Sequence, residues 1–186
     1  MLKYFLEGLP ALIPDFEERQ EQISMAKAVK KAVDSSENLI IEAGTGVGKT
    51  LAYLIPLAQY STENKKRVIV CTYSKALQSQ IFEKDMPIIE KLFPGIKYEA
   101  MFGSENYICA RKHKKQKEKS SLFANAPDTD SIIDFIAAGG GLRENSSFEL
   151  PKEAWDAIKR EKAECLEENC GHFAKCHYWT VRRRMF

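Results

Sequence analysis

The sequence predicts an α/β fold with a parallel sheet at its centre, and three observations predict it. Short apolar runs at residues 39–41, 68–72 and 96–103 read as buried strands. Segments of helical periodicity alternate with them, an order that implies right-handed crossovers. A glycine-rich stretch, EAGTGVGKT from Glu42 to Thr50, joins the first strand to the helix that opens at Leu51.

That stretch has the composition and context of a phosphate-binding loop. Gly44, Gly46 and Gly48 let the backbone approach a ligand closely, so successive N–H groups can point at a polyphosphate at the positive end of the next helix. Ala43, Thr45 and Val47 complete the loop. Lys49 would reach the β and γ phosphates of a nucleotide, and the Thr50 hydroxyl would hold Mg²⁺. The common pattern has glycine at position 43, where this chain carries Ala43, and a small side chain still fits. The plain alternative is a strand-to-helix turn without nucleotide, but Gly-Lys-Thr in this place serves no packing need.

A chain of 186 residues, 44% apolar, can bury the core of one domain, or of one domain with an insertion. Its formal charge of +2 means that nucleic-acid affinity would come from local patches and not from the overall field. The apolar N-terminus is broken by Glu7, Pro10 and Pro14 before an export signal or membrane span could form. The expectation is a cytoplasmic protein without a membrane partner. In a reducing compartment its five cysteines favour metal or redox chemistry over disulfides.

Taken in order, residues 1–15 form a proline-punctuated lead-in. Ile23, Ala26, Val29, Ala32 and Val33 then keep a helical period, with Arg19, Gln22 and Met25 on one face. That face suits either solvent or, through the Gln22 amide, an adenine edge. After the loop helix comes VIVCT, in which Cys71 reads as a core residue. Thr72, Tyr73 and Ser74 begin the next helix, which Pro87 is expected to interrupt. Hydroxyls at this place suit either a helix cap or a nucleic-acid backbone. IKYEAMFG reads as a third strand. Six of the nine residues from Arg111 to Lys119 are Lys or Arg, a solvated face that would also suit phosphates. Residues 120–147 turn polar and glycine-rich around one helical stretch, DSIIDFIAA, and PKEAWDAIKREKAE begins another helix.

Cys165, Cys170 and Cys176 follow as Cys-x4-Cys-x5-Cys, with Cys109 as a distant fourth candidate ligand. Four thiolates suit tetrahedral zinc or a 4Fe-4S cluster. The loose spacing leans toward the cluster, while His172 and His177 keep zinc open. Phe173, Tyr178 and Trp179, with Arg182, Arg183 and Arg184, would pack this module or clamp single-stranded nucleic acid. Packing is the simpler reading.

Together these elements resemble the N-terminal part of the XPD/DinG family of superfamily 2 DNA helicases, in its DinG-like branch. The resemblance is carried by Arg-x-x-Gln-x-x-Met at residues 19–25, EAGTGVGKT, CTYSKALQSQ, SENYICARK and the three downstream cysteines. It implies a RecA-like P-loop NTPase sheet over residues 1–105 and a mainly helical iron-sulfur insertion over 106–186. It implies that Arg19 and Gln22 serve the nucleotide site, Gln22 at adenine, and that Thr72, Tyr73, Ser74 and Gln78 touch single-stranded DNA. Cys109, Cys165, Cys170 and Cys176 would be the cluster ligands. The implied activity is ATP-driven 5′ to 3′ translocation on single-stranded DNA with duplex unwinding, on single-stranded or forked DNA, by a monomeric enzyme in repair or replication. No Asp-Glu-x-His box follows Thr50, so the chain is expected to be a fragment with little or no ATPase activity of its own. The rival reading is a non-catalytic, DNA-binding or metal-sensing module with a vestigial loop and a four-cysteine zinc site.

Overall fold

A computed structural model describes residues 1–119, 129–138 and 140–186. The chain divides into two compact units, Met1–Tyr98 and Glu99–Phe186.

In the first unit a π-helical turn, Tyr4–Gly8, runs into α1 (Leu9–Leu12). The periodic segment forms α2 (Gln20–Ser35), which buries Gln22, Ile23, Ala26 and Ala32 and ends where Ser36 turns left-handed at φ 56°. The loop leads into α3 (Lys49–Asn64). Pro56 lies inside α3 and withholds one backbone donor, at a cost of about 3 kcal/mol in a helix interior. The helix persists because Leu51, Leu54, Ile55 and Ala58 are buried in one core with Phe5, Leu9, Ile23, Ala26, Ile81, Ile89 and Phe93. Each large aliphatic contributes about 1.5–3 kcal/mol there, so the core outweighs the proline.

The next helical segment keeps a helical backbone throughout and is not interrupted by Pro87, but its hydrogen bonding changes to the π pattern in the turn before that proline. It consists of α4 (Lys75–Gln80), a π-helical turn (Ile81–Asp85) and α5 (Met86–Leu92), with Pro87 in the first turn of α5, where a missing N–H costs little.

The expected parallel sheet does not form among the described residues, in which no strand ladder is found. Residues 39–41, 68–72 and 96–103 carry no regular secondary structure, and Ile40 is 98% exposed. Cys71, expected in the core, is exposed with its segment. The physical reason is range. A helix closes its hydrogen bonds within one turn, whereas parallel strands pair only when distant segments are brought into register.

In the second unit Tyr107 bridges Leu142 and Ile108 bridges Lys159, both antiparallel, as isolated pairs. The basic run forms α6 (Ala110–Lys119), all but the last residue of DSIIDFIAA lies in α7 (Thr129–Ala137), and α8 (Lys152–Ile158) and α9 (His177–Met185) follow. Ile108, Ile132, Phe148, Ala154, Trp155 and Ile158 make one core; Phe102, Tyr107 and Leu142 make a smaller one. Trp155 donates its indole N–H to the Glu105 carbonyl at 3.1 Å, which ties α8 to the turn before Tyr107. The polar stretch expected at 120–147 lies partly outside the described residues.

Candidate functional site

The phosphate loop is built from backbone geometry. Gly46 and Gly48 take φ of 81° and 78°, in the left-handed region that side chains disfavour. A Cβ at Gly48 would also collide with the Gln22 amide nitrogen. Gly48 is the N-cap of α3 and offers no side chain to that helix start, so the first-turn N–H groups are left for an outside acceptor. The Lys49 ammonium folds over the loop and donates to the carbonyls of Ala43 at 2.9 Å and Gly44 at 2.6 Å. These contacts hold it where an incoming phosphate would compete for it.

Helix α2 braces the loop from behind. Arg19, at the α2 N-cap, donates to the Gly46 carbonyl at 2.5 Å, and the buried Gln22 amide donates to the Gly48 carbonyl at 2.9 Å. The Gln22 contact seen here is thus with the loop backbone. Beside it an open hollow of about 670 Å³ is lined by Gln20, Ser24, Met25, Ala43, Gly44 and Val47 among others. Sequence reading singled out Met25 but passed over Gln20 and Ser24. Their four-residue separation, one helix face, was the available signal. Thr45 is exposed at the loop tip, and Thr50 is half-buried. Burial raises the pKa of the Tyr53 phenol, and a hydrogen bond with the Thr50 side chain partly offsets it.

The residues expected at DNA lie together at the start of α4. Tyr73 is fully exposed. The Ser74 hydroxyl caps α4 by accepting from the Leu77 N–H at 3.2 Å, while the Thr72 hydroxyl donates to the Ser74 carbonyl at 3.1 Å. Gln78 is half-buried one turn into α4.

The second unit gathers the cysteines. None forms a disulfide. Cys109 is positioned by its N–H bond to the Ile158 carbonyl at 2.8 Å. Cys170 sits between two 3₁₀ turns, its N–H bonded to the Glu167 carbonyl at 3.0 Å and its carbonyl accepting from Phe173 N–H at 2.8 Å. Cys176 is the N-cap of α9. Burial raises the Cys176 thiol pKa, and Cys109 and Cys165 add to the rise by their charge, so these three sulfurs share one neighbourhood. Burial alone would raise Cys165 too, but the Glu167 backbone, Trp179 and Arg160 together bring its thiol below the ordinary value. Among the described residues no three His, Cys, Asp or Glu side chains converge tightly enough to hold a single metal ion.

Aromatic contacts surround this neighbourhood. Trp179 lies 5.3 Å from Phe173 and 5.5 Å from Tyr178, and Arg182 and Arg183 stack over Trp179 and Phe173 at 5.6 and 5.2 Å. The basic helix α6 is partly engaged within the unit. Arg111 donates to the Glu164 carbonyl at 2.7 Å, and Lys112 pairs with Glu164 at 3.1 Å and Glu161 at 3.5 Å. His172 and His177 flank the cysteines, and the His177 ring lies 5.8 Å from Tyr107.

No helix among the described residues is long and apolar enough to cross a membrane. The chain is 31% identical over 205 residues to the ATP-dependent DNA helicase DinG of Escherichia coli strain K12, which covers 96% of this chain and 28% of that protein. The DinG of Salmonella typhimurium strain LT2 matches at the same identity and coverage. The ATP-dependent DNA helicase YoaA of E. coli strain K12 is 30% identical over 188 residues, covering 95% of this chain and 28% of YoaA. The chain thus spans little more than a quarter of the length of these relatives. Residues 22–140, from the brace Gln22 through the loop and into the second unit, match the DEAD/DEAH box helicase family. That match carries with it a RecA-like fold for the nucleotide-binding part, and by it the chain belongs to the DEAD/DEAH box helicase family.

Proposed function

We propose that this chain carries the nucleotide-binding front of an ATP-dependent DNA helicase, with residues 1–105 belonging to motor domain 1 and 106–186 forming an iron-sulfur insertion. The observation that carries the reading is the loop: two glycines in left-handed conformation, an uncapped start of α3 and the Lys49 ammonium held over the loop carbonyls. Backbone N–H groups from Gly44 to Thr50 would cradle the ATP phosphates and Lys49 would move from carbonyl to phosphate. The Thr50 hydroxyl would be the chain's own ligand to Mg²⁺, which neutralises phosphate charge when bound. Arg19 and Gln22 would report the nucleotide to α2 through the loop carbonyls, with Gln22 free to turn to adenine.

Residues 39–41, 68–72 and 96–103, which form no strand ladder among the described residues, are the segments that would pair in the sheet of a whole motor domain. Thr72, Tyr73, Ser74 and Gln78 would face single-stranded or forked DNA, with the exposed Tyr73 ring as a stacking surface. Cys109, Cys165, Cys170 and Cys176 would hold a 4Fe-4S cluster. Zinc would need its four ligand atoms within about 2.3 Å of one point. Four thiolates from these positions suit a 4Fe-4S cluster, and Cys109, Cys165 and Cys176 lie near enough to act on one another's charge. When bound, the cluster supplies a rigid anchor between position 109 and positions 165–176. The names of the relatives support ATP-dependent helicase action on DNA; a cytoplasmic location, 5′ to 3′ movement, a monomeric enzyme and a place in repair or replication belong to the same proposal.

Two measurements on the anaerobically purified chain test this. Binding of a fluorescent ATP analogue should be saturable and weakened in Lys49→Ala; equal binding by both would remove the nucleotide reading. Iron and sulfide at about four each per chain are expected, and one zinc without sulfide would replace the cluster by a zinc module.

A further inference from the structure

Arg160 is 5% exposed, and its Nε and Nη1 atoms are buried without a hydrogen-bond partner among the described residues. Burying a cation without an anion is unfavourable, so its pocket is electrostatically incomplete as it stands. The backbone places it centrally. The Arg160 N–H donates to the Tyr107 carbonyl at 2.7 Å, and the same antiparallel pairing bonds Cys109 N–H to the Ile158 carbonyl. Its guanidinium stacks over the Tyr178 ring at 3.7 Å and stands 5.9 Å from the Trp179 ring, two and three residues past Cys176. Cys165 lies five residues downstream. Stacking on an aromatic face offsets part of the cost of burying the charge, but it leaves Nε and Nη1 without an acceptor. The Trp179 Nε1 donor is also buried without a partner. Two buried donors thus stand beside the residues that flank Cys109 and Cys176, Arg160 on the Tyr107 carbonyl and the Tyr178 ring and Trp179 three residues past Cys176.

We propose that Arg160, assisted by Trp179, is a positioning residue for the cysteine centre: it supplies the positive charge and N–H donors that offset the negative charge of the thiolates and of the cluster they carry. The proposal rests on the cluster reading given above. A guanidinium suits the task because it stays charged when buried and is weakly hydrated. Donors directed at cluster and cysteine sulfurs favour the more negative, reduced state and so raise the reduction potential.

The test is an anaerobic dithionite titration of the chain followed by its visible and electron paramagnetic resonance spectra, with iron and sulfide measured on each sample. Arg160→Met, retaining its iron and sulfide, should shift the midpoint downward by at least a tenfold change in the reduction equilibrium, about 59 mV for one electron. Arg160→Lys should recover most of that shift, and Trp179→Phe should give a smaller one in the same direction. An unchanged midpoint in a fully loaded Arg160→Met protein overturns the proposal and reduces Arg160 to a packing residue. Should Arg160→Met fail to assemble the cluster, unchanged midpoints in both Arg160→Lys and Trp179→Phe overturn it equally. Zinc without sulfide in the wild type overturns the cluster reading and this proposal together, whereas a loaded wild type with unmoved variants overturns this proposal alone.

Discussion

Between Ala43 and Lys49 the groups that would meet a phosphate are loop backbone atoms and one lysine, all within seven residues of chain. The cysteine sulfurs come from positions 109, 165, 170 and 176, held by two isolated bridges, two 3₁₀ turns and the N-cap of α9. The loop can take shape from local conformational preference, with α2 adding two hydrogen bonds from behind. The cysteine neighbourhood needs non-local closure, and its cores are small. Where local geometry builds a site, single-residue changes should act locally; where closure builds it, loss of one tie should spread.

The largest expected effect follows from that contrast. Cys176→Ser should lose iron and sulfide and, by hydrogen exchange, lose protection across Glu99–Phe186, while the ATP analogue still binds. Protection lost equally in Met1–Tyr98 would break the comparison. Next is Trp155→Ala, which removes the largest side chain of the second-unit core and its bond to Glu105. It should cost about 3–5 kcal/mol by chemical denaturation, and a cost below 1 kcal/mol would mean that this core is not what holds the unit. Lys49→Ala should weaken ATP binding by about 1.5–3 kcal/mol, the worth of a charge-assisted hydrogen bond, with little change in stability. Gly48→Ala should destabilise the first unit by about 1–2 kcal/mol through its left-handed backbone, with the second unit unaffected.

The smallest effect is a pH dependence at Asp85. Burial raises its carboxyl pKa, against the Gln80 hydrogen bond and the Lys84 charge, and its Oδ2 is buried without a partner among the described residues. A folded pKa above the unfolded one means that its contribution is fully present below the ordinary carboxylate range and is lost as pH rises through the folded value. Asp85→Asn should therefore raise the thermal midpoint slightly at pH 7 and lose that advantage near pH 3. An advantage that does not change with pH would assign it to packing instead.

Much of the loop was legible because its cause is local. Glycines at 46 and 48 and the Gly-Lys-Thr sequence are read residue by residue, and the structure puts them at a helix start as expected. The helices over 20–35 and 129–137 follow from periodicity, whereas the interruption expected at Pro87 is only a π-helical turn ahead of it. Cys71 was misread because an apolar β-branched run was taken to imply a sheet around it, and burial of such a run depends on neighbours that the run does not specify. Gln22 was placed on a functional helix face, but that its amide meets the Gly48 carbonyl depends on how α2 and the loop pack.

By itself, then, the sequence determined where helices start and stop, where the backbone turns left-handed and which cysteines are available, since each depends on a few neighbouring residues. Only the tertiary structure decided that Lys49 rests on Ala43 and Gly44, that Arg19 and Gln22 brace the loop, and that Arg160 is buried beside Cys165. Those outcomes require segments tens of residues apart to meet, and the entropy of closing such loops is offset by packing that no single segment contains.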